Sequence, residues 1–284
     1  MSKPLVLATR RSPLALCQAK QVATCLSESL SREVELLPMV TTGDKQTDWS
    51  LEKSGGKGLF TKELELALLD GRADLAVHSA KDMPTEMPKG LELAAFLKRE
   101  DPSDVLVFKE DCPEPKAIAS GSPRRRAQAT RLFPQAKWME LRGNVETRLQ
   151  KISQGREADA SLLAAAGLNR LGIRAFPGLS FRKLKLNEMV PAPGQGAIAL
   201  QTRSEDVRYF NQVSDKSTER AVKIERAVLV ALGGGCQVAL GAHYSETSHK
   251  LAFFHENCGI KTLTIAGREE SDWIKEVIEW TKIN

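Results

Sequence analysis

The chain has 284 residues, 42% hydrophobic and 27% charged, with 41 basic against 36 acidic side chains and a net charge of +5. This composition excludes a disordered or low-complexity protein, and the length suffices for two or three domains with separate cores. No apolar run approaches about 18 residues and the stretch Met1 to Arg10 lacks a signal-peptide core, so the expectation is a cytosolic protein without membrane contact.

In chain order, Leu5-Val6-Leu7-Ala8 reads as a buried strand. Ser12-Pro13 follows as a helix N-cap and first helical position, and Ala15, Ala19, Val22, Leu26 and Leu30 form one helix face. Val34 to Val40 is the next strand, Phe60 to Asp70 a helix closed by Gly71, and Ala73 to Val77 a strand. Ser122-Pro123 opens a helix running to Leu132, and Lys137 to Leu141 is a strand. Asn144 caps a helix with Val145, Leu149 and Ile152 on one face, and Ala158 to Ala164 is another strand. A short echo, Gly71-Arg72-Ala73-Asp74 against Gly155-Arg156-Glu157-Ala158-Asp159, points to two similar α/β halves with ligands in the cleft between them. The run Pro191 to Gly196 breaks structure, and Ala197 to Gln201 reads as a strand. A helix from Glu219 to Leu232, a glycine loop and three strands (Gly241 to Ser245, Leu251 to His255, Lys261 to Ala266) then lead to a final helix capped by Ser271. Trp273, Ile274, Val277 and Ile278 form the apolar face of that helix, so this last part is a small α+β domain.

The chemistry-bearing residues narrow the field. The five cysteines include no C-x-x-C pair and the four histidines no helical H-x-x-x-H pair, so neither a disulfide framework nor a protein-held metal is expected. Arginines recur in loops beside Gly, Ser and Asn: Arg10-Arg11-Ser12, Ser122-Pro123-Arg124-Arg125-Arg126 and Arg142-Gly143-Asn144. Such forks suit carboxylate or phosphate ligands. Nucleic acid is disfavoured, because aromatic content is 5% and the basic residues form no single tract. His78 and Ser79 would point to opposite faces of a strand, and no G-x-S-x-G elbow is present, so a serine hydrolase is not expected. Asp82, before Met83-Pro84, is either a turn residue or a lone acid in a cationic cleft, where it could shuttle a proton and oppose a cationic intermediate. Cys236, after Gly233-Gly234-Gly235, is either a buried filler or a thiol on an open loop that carries something bulky.

Eight segments in this order resemble the porphobilinogen deaminase (hydroxymethylbilane synthase) family along nearly the whole chain. They are Ala8 to Ala15, Gly55 to Phe60, His78 to Pro84, Arg99 to Pro102, Leu141 to Arg148, Ala164 to Leu168, Pro193 to Ala197 and Gly234 to Val238. The resemblance implies two periplasmic-binding-protein-like α/β domains around a cleft, residues 1–98 with 196–216 and residues 102–192, and a small α+β domain over 219–284. It implies a dipyrromethane cofactor held as a thioether on Cys236, with Lys81, Ser122, Arg124, Arg125 and Arg148 as cofactor ligands. Porphobilinogen would be the substrate: four units are condensed in turn, ammonia leaves at each step, and hydroxymethylbilane is released for tetrapyrrole and haem synthesis. Asp82 would be the catalytic carboxylate, assisting proton transfer to the leaving amine and stabilising cationic azafulvene and pyrrole intermediates. Arg10, Ser12, Phe60, Arg142, Arg148 and Gln195 would bind substrate, Lys53 and Lys57 would lie on a loop over the cleft, and the protein would be a monomer. Three positions depart from the family pattern: Gly121 lacks a hydroxyl, Pro123 lacks an N–H, and Gly233 replaces an acid before the Gly-Gly-Cys run, so one or two cofactor hydrogen bonds are expected to be lost. The rivals are a small-anion binding protein of the same fold and a deaminase homologue without activity.

Overall fold

The computed structural model describes residues 3–45, 60–234 and 238–282; Lys53, Lys57 and Cys236 lie outside them. The first part contains β1 (Leu5–Arg10), α1 (Pro13–Leu30), β2 (Val34–Met39), α2 (Thr42–Lys45), α3 (Lys62–Leu69), β3 (Leu75–Ser79) and β4 (Leu91–Phe96). The second contains β5 (Asp104–Lys109), β6 (Ala117–Ala119), α4 (Pro123–Ala129), β7 (Lys137–Met139), α5 (Val145–Ser153), β8 (Ala160–Ala164), α6 (Ala165–Arg170) and β9 (Leu179–Lys183). After β10 (Ile198–Arg203) and α7 (Val207–Phe210), the last part contains α8 (Lys216–Ala231), β11 (Leu240–Ser245), β12 (Lys250–His255), β13 (Gly259–Thr264) and α9 (Glu270–Lys282).

These strands form two five-stranded sheets, ordered β2-β1-β3-β10-β4 and β7-β6-β8-β5-β9, and a three-stranded antiparallel sheet β11-β12-β13. The two large sheets share one plan. Each has three parallel strands followed by two more, with the fourth running antiparallel to its neighbours. The fourth strand of each sheet is reached by a crossover from the other lobe: β10 returns from the second lobe to the first, and β5 enters the second directly from β4. The expected architecture of two periplasmic-binding-protein-like α/β lobes and a small α+β lobe is therefore the observed one.

The sequence echo has a structural counterpart. Gly71 and Gly155 end helical segments at φ 70° and 62°. Asp74 Oδ2 accepts from the Val6 amide at 2.8 Å, and Asp159 Oδ2 accepts from Lys116 and Ala117 at 3.0 and 2.9 Å. Each aspartate thus satisfies an amide at the start of the central parallel strand of its own lobe.

Each lobe has its own core, because each sheet buries apolar side chains under its helices. Ala19, Val22 and Leu26 of α1 pack on Leu5, Leu7, Leu75 and Val77. Leu149 and Ile152 of α5 pack with Val105, Val107 and Leu163. Val228, Trp273 and Val277 close over Tyr244, Leu251 and Phe253 in the third lobe. The helix α9 begins at Glu270, so Ser271 lies inside its first turn and not at the cap.

The two crossovers run side by side: Leu97 donates to Ile198 O at 3.1 Å and Glu100 to Gly196 O at 3.2 Å. Gly196, at φ 89°, sits so close that a Cβ would strike the Glu100 carbonyl oxygen. The glycine is required both by its backbone angle and by this approach. The run read as a structure breaker is therefore the seam between the lobes.

Candidate functional site

The parallel strands of the two lobes point their C-terminal ends at a common cleft, the position that open α/β sheets offer to ligands. The end of β1 carries Arg10 and Ser12, and the end of β3 a short 3-10 turn, Ala80–Asp82. Facing them, the end of β6 carries Ser120 to Arg125, and the segment after β7 carries Arg142 to Asn144. Ser12 caps α1, its Oγ accepting from the Ala15 amide at 3.3 Å; Asn144 caps α5, accepting from Thr147 at 2.8 Å. The positive ends of α1 and α5 thus open towards the cleft and favour negative charge there.

Two adjoining cavities fill it. The larger, about 930 Å³, is lined among others by Arg10, Ser12, Asp44, Phe60, Lys81, Asp82, Arg142 and Arg148. The smaller, about 240 Å³, is lined by Lys81, Asp82, Ser122, Arg124, Arg125, Arg142, Arg148 and Gln195, with Leu229, Val238 and Leu240 of the third lobe as an apolar wall. Six cations (Arg10, Arg11, Lys81, Arg125, Arg142, Arg148) face three carboxylates (Asp44, Asp82, Glu146) in the larger cavity. The excess suits a ligand with several negative charges.

All described site candidates line one cavity or both, but they differ in commitment. Asp82 is exposed to the cleft and makes no hydrogen bond or ion pair among the described residues. Arg148 donates from Nε to Gly143 O at 2.8 Å, and its two terminal nitrogens meet no partner among the described residues; burial, with repulsion from Arg125 and Arg142, pushes its pKa down to about 10. Arg142 meets Glu140 only at 3.9 Å. Arg10 is held by Asp44 and lies over the Phe60 ring, 4.2 Å from its centroid. Asp44 in turn accepts from the Thr41 hydroxyl at 2.7 Å.

Arg124 and Arg125 are buried and share Asp104. Arg124 donates to Asp104 at 2.7 and 3.2 Å and to Val190 O at 2.8 Å; Arg125 donates to Asp104 at 2.8 Å and to Leu162 O at 2.8 Å. The two guanidiniums hold the Asp104 carboxyl well below its ordinary range against the effect of burial. Gln195 is also buried and lines the smaller cavity, not the larger. Its amide donates to Pro102 O at 2.6 Å and its oxygen accepts from Lys81 and Arg124 at 3.5 Å each.

The departures noted in the sequence have local causes. Pro123 is the first residue of α4 behind the Ser122 cap, where a helix amide has no intrahelical partner anyway. Gly121 leaves room for Glu140, whose carboxylate oxygen would stand 3.1 Å from a Cβ there. Gly233 follows α8 at φ 60°, where an acidic side chain would be strained.

Burial, and then the nearby Arg125, lower the Lys81 ammonium from 10.5 to about 8; Asp82 and Asp104 act the other way. Its charge is present at pH 7 and is lost as pH rises through about 8. Affinity for a small dicarboxylate, measured by titration calorimetry, is therefore expected to fall between about pH 7 and 9, and Lys81→Arg, charged throughout, is expected to flatten that fall.

Residues 5–211 match the family model "Porphobilinogen deaminase, dipyromethane cofactor binding domain". The chain belongs to the porphobilinogen deaminase family. It is 44% identical to the porphobilinogen deaminase of Caulobacter sp. (strain K31), over 85% of this chain and 79% of that protein. It is 43% identical to that of Nitrobacter winogradskyi, over 87% and 80%. Among solved structures, the periplasmic VFT2 domain of Bordetella pertussis BvgS overlays 78% of this chain and 93% of its own at TM-score 0.45 and 18% identity. The family match spans both cavities' polar residues but ends before α8, so it does not reach the third lobe.

Sequence reasoning missed Asp104, Asp44 and the third-lobe wall of the smaller cavity. Asp104 stands in a run of charged and proline residues that reads as a linker. Val238 belongs to the Gly234 to Val238 segment already noted, but nothing in the sequence shows that it, Leu229 and Leu240 line a cavity.

Proposed function

We propose that this chain is a hydroxymethylbilane synthase, condensing porphobilinogen units on a dipyrromethane joined to Cys236. The observation that carries this is the place of Asp82: among the described residues it is the one carboxylate that lines both cavities. The residues around the smaller cavity suit dipyrromethane. Among the described residues, Arg124 Nε is buried without a hydrogen-bond partner and the terminal nitrogens of Arg148 make no hydrogen bond, while Leu229, Val238 and Leu240 supply an apolar wall for pyrrole rings. Val238 is two residues from Cys236. Lys81, Ser122, Arg124, Arg125 and Arg148 would hold the carboxylates of the group. When bound, it would supply the free pyrrole carbon to which the first substrate unit is joined, each later unit being joined to the one before.

The chain's own residues do the rest. Arg10, Arg142 and Arg148 bind substrate carboxylates, and a charge-assisted bond of this kind contributes on the order of 1.5–3 kcal/mol. Ser12, Phe60 and Gln195 shape the surroundings. Asp82 passes a proton to the departing amine and opposes the positive charge that develops on the substrate. Arg10 reaches a substrate carboxylate by sharing or leaving Asp44.

Intact-protein mass tests this directly. The purified chain is expected to exceed its sequence mass by one dipyrromethane, to lose the excess in Cys236→Ser, and to convert porphobilinogen to hydroxymethylbilane. A chain that carries no adduct after incubation with porphobilinogen, yet binds dicarboxylates, would instead be an anion-binding protein.

A further inference from the structure

The 3-10 turn that presents Asp82 is weakly closed by itself: the Met83 amide reaches Ala80 O only at 3.3 Å. Its outer side is held by α8 of the third lobe. Arg226 donates from one terminal nitrogen to Met83 O at 3.2 Å and from the other to Pro84 O at 2.6 Å. These are the two carbonyls directly after Asp82. One turn earlier on the same helix face, the fully buried Val222 packs in a cluster with Ala80 and Met83. The same helix ends at Ala231, five residues before Cys236.

We propose that Arg226 is the positioning residue for Asp82, clamping the backbone that follows it so that the carboxylate stays at the junction of the two cavities. This rests on Asp82 being the catalytic carboxylate. A fork with two donors at fixed spacing grips two successive carbonyls, which a single ammonium does less well. The clamp also ties the acid to the helix that leads into the cysteine loop.

The test uses the purified full chain with its adduct mass verified. Arg226→Gln is expected to lower kcat roughly 10- to 100-fold, the scale of a misplacement of about 1 Å, with KM changed little. Arg226→Lys should restore part of the loss. In an Asp82→Asn background, Arg226→Gln should add little further loss, because both changes act through one group. Should Arg226→Gln not fold, Arg226→Lys is carried through the same cycle. The positioning role is overturned by wild-type kcat in Arg226→Gln, by losses that multiply in the double variant, or by a loss that follows disappearance of the adduct. Near-normal turnover in Asp82→Asn alone is a distinct result: it removes the assignment of Asp82, and the role of Arg226 with it.

Discussion

Replacing Asp82 with asparagine is expected to lower kcat roughly 10²–10⁴-fold, the range in which a positioned acid or base contributes to proton transfer. The fold should be almost unaffected. Asp82 is exposed and makes no hydrogen bond or ion pair among the described residues, and changes at such positions cost within about 0.5 kcal/mol. Asparagine keeps the size of the side chain and removes only the proton and the charge. KM for porphobilinogen should move little, since the arginines and not Asp82 would bind the substrate carboxylates. Steady-state kinetics together with a thermal melt by circular dichroism check both halves. A near-normal kcat would place the acid elsewhere in the cleft.

The second large effect is on stability. Glu225 of α8 is fully buried and accepts four hydrogen bonds from three groups. Arg99 donates to its two oxygens at 2.6 and 3.0 Å, the Gly194 amide at 2.7 Å and the Tyr244 amide at 2.9 Å. These partners come from the crossover between the lobes and from β11, so one carboxylate joins the third lobe to the seam. Glu225→Gln replaces an acceptor oxygen by an NH₂ facing donors, and it leaves Arg99, whose side chain is 11% exposed, without its Glu225 counter-charge. Breaking such a pair from one side costs about 3–5 kcal/mol. Denaturant unfolding followed by tryptophan fluorescence should show a midpoint shift of that size, since Trp273 and Trp280 belong to this lobe. A shift below about 1 kcal/mol, the worth of an exposed pair, would show that the contact is not a structural link.

The same group gives a pH dependence of stability. Arg99 and the hydrogen bonds hold the Glu225 carboxyl below its ordinary 4.5 despite burial. Its stabilising contribution is complete above that ordinary value and is lost as pH falls through the depressed one. Asp104 acts in the same direction between Arg124 and Arg125. Acid unfolding should therefore loosen both the third lobe and the arginine end of the smaller cavity.

Much of the local structure was legible because local signals decide it. Ser12-Pro13, Ser122-Pro123 and Asn144 each place a helix start that the structure keeps, since a cap is a contact within four residues. The apolar spacing in α1 identified its buried face for the same reason. β4, β5, β6 and β9 were not singled out. β6 is three residues long and β9 carries charged residues on a sheet edge, so neither shows a strand period of useful length.

By itself the sequence determined the α/β and α+β character of the lobes, the caps of α1, α4 and α5, the family and the cationic character of the site, because these follow from short-range patterns and ordered motifs. Only the tertiary structure decided how the cations are used. Arg124 and Arg125 look alike in sequence to Arg142 and Arg148, yet the first pair is locked onto Asp104 while the second has terminal nitrogens open to the cleft. That difference arises from partners about 20 to 70 residues away and no local pattern encodes it. The same holds for Arg226. It reads as one more charge on an amphipathic helix, and its grip on the backbone after Asp82 exists only because two lobes distant in sequence are packed together.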